Sequence, residues 1–375
     1  ELGFQYMAQE GKTMCLAKTA DYHDCYGKVR KITSRFRRGE WKKYSHWIDY
    51  IMSPRAEVFL GTKSGHRLQK LIASYGAPAV AACAQRLWEK NVVRLVQHYQ
   101  ARHGFRNLVL TGGTFLNVHI NRLLAELDGI DNIYVYPHTG DGSTTIGAMV
   151  EAHRQISGAP VRLPLFDTGL GVDYTETSIE TAIRHFGSQI SYEKIKDPAA
   201  FAAKELADGK IVGWFQGREE YGHRALGHRC MLGDPRSMEI KVKMTDIKNR
   251  ELWIPLAPAI LKEHGSTFFE NFSHSPFMTR AFYVKPNKRK EIAAALHQDD
   301  SARLQSIDEH TFEPFRNLLH HFYKLTGMPM LLNTSLNRHG QPIVHRPKEA
   351  IQLLLDTRLD VLVIGPFAVR KGFSH

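Results

Sequence analysis

Apolar residues recur at helical spacing through "CAQRLWEKNVVRLVQHYQARH", residues 83–103, and the pattern stops at Gly104, a residue suited to a helix C-cap. The next segment, "NLVLTGGTFLNVHINRLLAEL", predicts a short buried strand over 107–110, a tight turn at Gly112 and Gly113, and then a helix. "NIYVYPHTGDGSTTIGAMVEAHR" repeats the scheme: a strand over 133–136, a loop through Asp141 and Gly142, and a helix rich in small residues. Strand, glycine loop and helix in close succession, twice, predict the α/β fold class with loops gathered at the carboxyl ends of the strands.

Periodicity fades over 156–171, "ISGAPVRLPLFDTGLG", which reads as a linker. Beyond it "TSIETAIRHF" predicts a helix capped by Thr177 or Ser178, and "PAAFAAKELADGKIVGWFQG" a helix ending near Gly209 followed by a strand over 210–215. Short strands ("PMLLNTS", "DVLVIG") then alternate with helices ("PFRNLLHHFYKL", "KEAIQLLLDT"). No solenoid-type repeat or low-complexity tract interrupts the chain.

Length and composition narrow the picture only modestly. The chain has 375 residues, which predicts two domains, and is 43% hydrophobic and 23% charged, ordinary values for a globular protein. No apolar run approaches the roughly eighteen residues that span a bilayer, and no secretory leader opens the chain. The first residue is Glu1, which suggests a fragment or a processed product. Cys15, Cys25, Cys83 and Cys230 are far apart without CxxC spacing, so they are expected to be reduced thiols of a cytoplasmic protein. The net charge of +12 invites a nucleic-acid partner. The cations are scattered, however, and the basic run at 28–43, "KVRKITSRFRRGEWKK", carries no RNP-like or helix-turn-helix pattern. Anionic metabolites are the favoured partners.

One stretch sharpens that expectation. In "GWFQGREEYGHRALGHRCMLGDPRS", 213–237, Arg218, Arg224, Arg229 and Arg236 occur without a lysine, threaded by Gly213, Gly217, Gly222, Gly227 and Gly233. The guanidinium fork offers two parallel donors to phosphate, and glycine lets backbone N–H groups approach the same anion. The alternative is a set of salt bridges to Glu219, Glu220 and Asp234, which would leave the glycines unexplained. Three further polar patches follow. Lys248 and Arg250 lie two apart and would share one face of a strand. "HQDDSARLQSID", 297–308, carries Ser301, Arg303 and Gln305, and alone would be a polar turn. The strand in "GMPMLLNTSLNRHG" ends in Asn-Thr-Ser-x-Asn, placing Ser335 and Asn337 at a strand mouth, where α/β proteins bind nucleotides.

In this order, "GKTMCLA", "LTGGTFLN", "YPHTGDGSTTIGA", "GWFQGREEYGHRALGHR", "IKNREL", "HQDDSARLQ", "PMLLNTSLNRHGQPIV" and "LDVLVIGPF" cover nearly the whole chain. With them the sequence resembles the antibiotic-type O-carbamoyltransferases, which carbamoylate hydroxyls of aminoglycosides, cephems, aminocoumarins and nodulation factors. The resemblance implies a partial actin-like domain over 1–160 and a threonylcarbamoyl-AMP-synthase-like (YrdC-like) domain over 172–375. It implies that carbamoyl phosphate and ATP meet in the second domain, form carbamoyladenylate with loss of pyrophosphate, and that the carbamoyl group passes to a hydroxylated small molecule.

Residue by residue, the resemblance assigns carbamoyl phosphate to Arg224 and Arg229, with Arg303 and Gln305 in a neighbouring element. It assigns ATP, with magnesium, to Lys248, Arg250, Ser335 and Asn337. Gly112, Gly113 and Asn117 match the loop that receives the adenylate, and Asp141 matches the aspartate that ligates an iron-type ion. Taken alone, Asp141 would cap the following helix. His223, Cys230, Ile254 and Cys15 stand where the family has proline, serine, arginine and glycine. The family's histidine ligands and first phosphate loop find no counterpart here, so the chain is expected to form the adenylate without passing it on. A tRNA-modifying threonylcarbamoyl enzyme and a catalytically inactive binding module stay open as alternatives, and a homodimer is left open.

Overall fold

A computed structural model describes residues 10–31, 35–37, 40–42, 63–161 and 167–372. Contacts divide the chain into two compact units, 1–136 with 297–299, and 137–296 with 300–375.

The first unit is mainly helical. Helices α1 (Glu10–Leu16) and α2 (His23–Lys31) and the hairpin β1 (Arg35–Arg37)–β2 (Glu40–Lys42) precede α3 (Lys63–Tyr75) and the long α4 (Ala77–His103). The expected helix over 83–103 is therefore present and begins six residues earlier, behind Gly76 with a proline in its first turn. It closes at Gly104, whose φ of 68° is the left-handed conformation that glycine adopts freely. Strand β3 (Asn107–Leu110), α5 (Val118–Ala125) and β4 (Asn132–Val135) complete the unit, with β3 and β4 paired in parallel. The expectation of a buried strand at 107–110 is corrected: Val109 is 74% exposed, while Leu110 enters the core with Val92, Ile120, Leu124 and Val135. Side chains alternate across a strand, and among the described residues this sheet has only two.

The cysteines also differ from expectation. Cys25 of α2 and Cys83 of α4 are joined as a disulfide with their Cα atoms 6.8 Å apart, while Cys15 and Cys230 are free. A separation of 58 residues in sequence did not keep them apart, because α2 packs against α4. No described helix is long and apolar enough to cross a membrane.

The second unit is built on one mixed sheet. Its elements are α6 (Thr144–Ser157), α7 (Glu176–Arg184), β5 (Ile190–Lys194), α8 (Pro198–Ala207), β6 (Val212–Phe215), β7 (Arg229–Gly233), α9 (Met238–Ile247), β8 (Ala257–Leu261) and α10 (Gly265–Phe268). There follow β9 (Ala281–Tyr283), β10 (Ser301–Arg303), β11 (Gln305–Ile307), α11 (Glu313–Thr326), β12 (Met330–Ser335), α12 (Pro347–Asp356), β13 (Val361–Ile364) and β14 (Phe367–Lys371). Eight strands order as β11-β8-β12-β7-β6-β13-β14-β5, with β11/β8 and β6/β13 parallel and the other neighbours antiparallel. Strands β6, β7, β8 and β13 are buried at every position, as expected of strands covered on both faces.

Helix starts follow side-chain caps. Asp197 accepts from the N–H of Ala200 at 3.0 Å and Pro198 opens α8. Helix α7 is capped by Thr175, not by Thr177 or Ser178: Thr175 is extended and accepts from the N–H of Ser178, whose own hydroxyl donates back to the Thr175 carbonyl. Of the expected linker, 162–166 lie outside the described residues, and its end is pinned, with Gly169 bridged to Glu220.

Candidate anion-binding site

The glycine-rich arginine stretch takes in most of β6, the loop of 216–228, the antiparallel strand β7 that begins at Arg229, and the turn beyond it. Its organiser is an acid. Glu220 is buried, and its Oε1 accepts from the backbone N–H groups of Leu226, His228 and Arg229 at 2.9, 2.8 and 3.0 Å. The carboxylate thus satisfies three buried donors that a loop cannot pair in a ladder. Gln305 donates to the Leu226 carbonyl at 2.9 Å and Asn333 to the Ala225 carbonyl at 3.1 Å, tying the loop to β11 and β12. Gly227, at φ 124°, lies where a Cβ would come within 2.7 Å of the Phe315 ring, so only glycine passes there.

The salt-bridge alternative holds for Arg236, which grips Asp234 through two nitrogens, at 3.0 and 2.6 Å. The Glu219 carboxylate instead accepts from Nδ1 of the His345 ring. Arg229 is fully buried, with its guanidinium 3.6 Å above the Phe215 ring and donating to the carbonyls of Gln216 and Gly217, each at 2.9 Å. Burial lowers its pKa despite the nearby charges of Glu220 and Glu219. Arg224 and Arg303, far apart in sequence, both act on His223: desolvation, then the charges of Arg224, His138 and Arg303, lower its pKa. By surface area the residue is nonetheless exposed. The His138 ring lies beside it, tilted by 54°, with ring centroids 5.4 Å apart.

The second group converges around Lys248. Its ammonium donates to the Ser335 carbonyl at 2.7 Å, to the Ser335 hydroxyl at 3.0 Å and to the Asn337 side-chain oxygen. Lys248 is only 4% exposed, and burial, then the charge of Arg250, lowers its pKa. The expected strand at 248–250 is corrected. Lys248 is the C-cap of α9, Asn249 is left-handed with φ 50°, and the N–H groups of Asn249 and Arg250 return to the carbonyls of Asp246 and Thr245. That is a Schellman turn, with asparagine replacing the usual glycine. It turns Arg250 back so that its charge acts on Lys248.

In the first unit, Gly112 (φ 95°) and Gly113 lead into a 3-10 turn, 113–116. Asn117 caps α5 by accepting from the N–H of Ile120, and it exchanges hydrogen bonds with Gln85. Asp141, in the second unit, is exposed at the start of a 3-10 turn, 141–143. Helix α6 has Ser143 as its N-cap and no side-chain cap hydrogen bond, so Asp141 does not cap it. The residues do not fit an iron-type ion: among the described residues no group of three or more His, Cys, Asp or Glu could hold a metal. Sequence reasoning missed Glu220 as the loop's organiser. The signal available was an acid followed by two glycines that the arginines alone did not account for.

Two family patterns match the chain: the carbamoyltransferase N-terminus over residues 1–150 and the carbamoyltransferase C-terminus over residues 203–371. The chain belongs to the carbamoyltransferase family. Nodulation protein NolO of Bradyrhizobium diazoefficiens is 35% identical over 297 residues, 78% of this chain and 54% of that protein. Nodulation protein NolNO of Sinorhizobium fredii is 33% identical over 297 residues, 78% of this chain and 44% of that protein. The chain thus spans about half the length of these curated relatives. Among solved structures, Sua5 of P. abyssi complexed with L-threonine overlaps 45% of this chain and 46% of its own, at 13% identity and a TM-score of 0.34, too slight a likeness to carry an argument. The C-terminal match contains the arginine loop, the Lys248 cluster and β12, so the two polar groups fall within the family's own region.

Proposed function

We propose that this chain converts carbamoyl phosphate and ATP to carbamoyladenylate, in the service of carbamoyl transfer to a hydroxyl of a small natural product. The observation that carries the proposal is the buried ammonium of Lys248. Its hydrogen-bond partners are neutral oxygens from residues 87 and 89 positions away, and among the described residues it makes no ion pair. A desolvated cation without a carboxylate is unfavourable by itself and becomes favourable when an anion arrives. Lys248, Arg250, Ser335 and Asn337 suit the phosphates of ATP and their magnesium, while Arg224, Arg229 and Arg303 suit carbamoyl phosphate. Family membership supports the carbamoyl donor.

In this scheme the phosphoryl group of carbamoyl phosphate passes to water, giving carbamate and inorganic phosphate. A carbamate oxygen attacks the α-phosphorus of ATP, the bond to the bridging oxygen of the β-phosphate breaks, and pyrophosphate leaves. Transfer, which this chain is not expected to complete by itself, would follow by attack of the acceptor hydroxyl on the carbamoyl carbon, with departure of AMP and release of the hydroxyl proton to solvent. The arginines act by neutralising charge that gathers on the phosphoryl oxygens. Gly112, Gly113 and Asn117 are proposed to meet the adenylate. No step is assigned to a metal at Asp141.

The test is pyrophosphate release from ATP with and without carbamoyl phosphate, in the wild type and in Arg224→Ala. Release that requires carbamoyl phosphate and falls about 100-fold or more in the variant supports the proposal. Release that ignores carbamoyl phosphate, or is unchanged in Arg224→Ala, overturns it.

A further inference from the structure

Helix α9 buries one face, comprising Ile240, Lys241, Met244, Thr245 and Ile247, and ends in buried Lys248. An amphipathic helix fills such a face with apolar side chains. Here the positions i, i+4 and i+7 are instead Lys241, Thr245 and Lys248, a polar stripe two turns long. Lys241 is 8% exposed, its ammonium has one hydrogen bond, to the Leu296 carbonyl at 3.4 Å, and it makes no ion pair among the described residues. Thr245 is 4% exposed, and its hydroxyl has no hydrogen-bond partner among the described residues. A buried hydroxyl or ammonium without an adequate partner costs stability, and such groups persist where something else satisfies them. The Schellman turn folds Arg250 back at the end of α9, its backbone N–H returning to the Thr245 carbonyl and its guanidinium donating to the Pro255 carbonyl at 3.2 Å. Burial first, and Arg250 second, lower the pKa of each ammonium. Two buried lysines lie along one helix face and its end, with no carboxylate paired to either among the described residues, an arrangement suited to a ligand of several negative charges.

We propose that Lys241 and Thr245 extend the anion site of Lys248 and Arg250 along α9, and that this stripe holds the distal phosphates of a nucleoside triphosphate. The inference rests on the nucleotide site proposed above and adds to it a preference for the triphosphate over the monophosphate. Over seven residues a helix rises about 10 Å, so the stripe is longer than one phosphate needs. Lys248, next to Ser335 and Asn337, serves the phosphate nearer the nucleoside. Lys241 serves the far end, with the Thr245 hydroxyl donating to a phosphate oxygen between them.

The experiment is calorimetric titration of the full chain with a nonhydrolysable ATP analogue and with AMP, for the wild type, Lys241→Met, Lys241→Arg, Thr245→Val and Lys248→Met. Methionine keeps the volume of lysine and removes a poorly paired buried charge, so Lys241→Met should hold its melting temperature. The expected result is a loss of about tenfold or more in affinity for the triphosphate in Lys241→Met, with AMP affinity unchanged within twofold and Lys241→Arg largely retained. Thr245→Val should lose severalfold for the triphosphate alone. Wild-type affinity for the triphosphate in Lys241→Met, or equal losses for both nucleotides, overturns the stripe while leaving Lys248→Met to report on the underlying site. Failure of the wild type to bind either nucleotide overturns both.

Discussion

Replacing Glu220 with glutamine tests how the arginine loop is built. Three backbone N–H groups converge on one carboxylate oxygen at 2.8–3.0 Å, in a residue only 6% exposed. A hydrogen bond to a charged acceptor contributes about 1.5–3 kcal/mol and to a neutral one about 0.5–1.5, so the three bonds together should weaken by about 3 kcal/mol. The substitution also places an amide N–H₂ where Oε2 is buried without a partner, which adds to the cost. At about 2–4 °C per kcal/mol for a unit of this size, the melting temperature should fall by roughly 6–12 °C. The assay is thermal unfolding followed by circular dichroism, with pyrophosphate release measured well below the transition. Release should also fall, because Arg229 follows directly on the anchored backbone. A melting temperature within about 1 °C of the wild type would refute the claim that this carboxylate organises the loop.

Further outcomes follow from other contacts. Ser335→Ala and Lys248→Ala should each weaken binding of a nonhydrolysable ATP analogue by about tenfold in equilibrium titration, and unaltered affinity in both would remove the nucleotide site. Arg229→Ala should lose both activity and thermal stability, since the side chain is buried against Phe215 and two carbonyls, whereas Arg224→Ala should lose activity only; paired melting and rate measurements separate the two. Burial opposes ionisation of Asp167, but His228 at 3.1 Å and the N–H groups of Thr168 and Gly169 outweigh it and lower the pKa below 3.8. A depressed carboxylate stabilises the fold above the unfolded-state value and stops doing so as pH falls through the folded one. The melting-temperature gap between wild type and Asp167→Asn should therefore be full at pH 7 and close below about pH 4, and a gap independent of pH would contradict the pairing. Thiol titration of the denatured, unreduced chain should find Cys15 and Cys230 alone, and four reactive thiols would remove the Cys25–Cys83 bond.

The sequence was most legible where periodicity and punctuation agreed. The helix ending at Gly104, the glycine turn at 112–113 and the strand after Gly209 all come from local rules, and the structure keeps them within a few residues. Where a residue's role depends on what packs over it, local rules failed. Lys248-Asn249-Arg250 matches strand spacing, but the left-handed asparagine makes it a helix stop. Cys25 and Cys83 are distant along the chain and adjacent across two packed helices. Arginine and glycine pointed to an anion held by guanidinium and backbone N–H groups; that Glu220 gathers the backbone of the loop and that Arg229 is buried are features only the packing reveals. Nothing in the sequence set Lys241 apart, since only burial of its helix face distinguishes it from a surface lysine. Lys248, Ser335 and Asn337, which the resemblance names together, meet in the structure, whereas no group of three or more His, Cys, Asp or Glu that could hold a metal occurs among the described residues.

The central claim is that the second unit makes carbamoyladenylate, and the product itself can be sought. The chain would be incubated with ATP, magnesium and carbamoyl phosphate, quenched rapidly, and its nucleotides resolved by mass spectrometry. The account predicts carbamoyl-AMP and pyrophosphate, appearing only when carbamoyl phosphate is present and lost in Lys248→Met. ADP as the sole nucleotide product, or ATP left intact by a wild-type chain that binds both substrates, would contradict it.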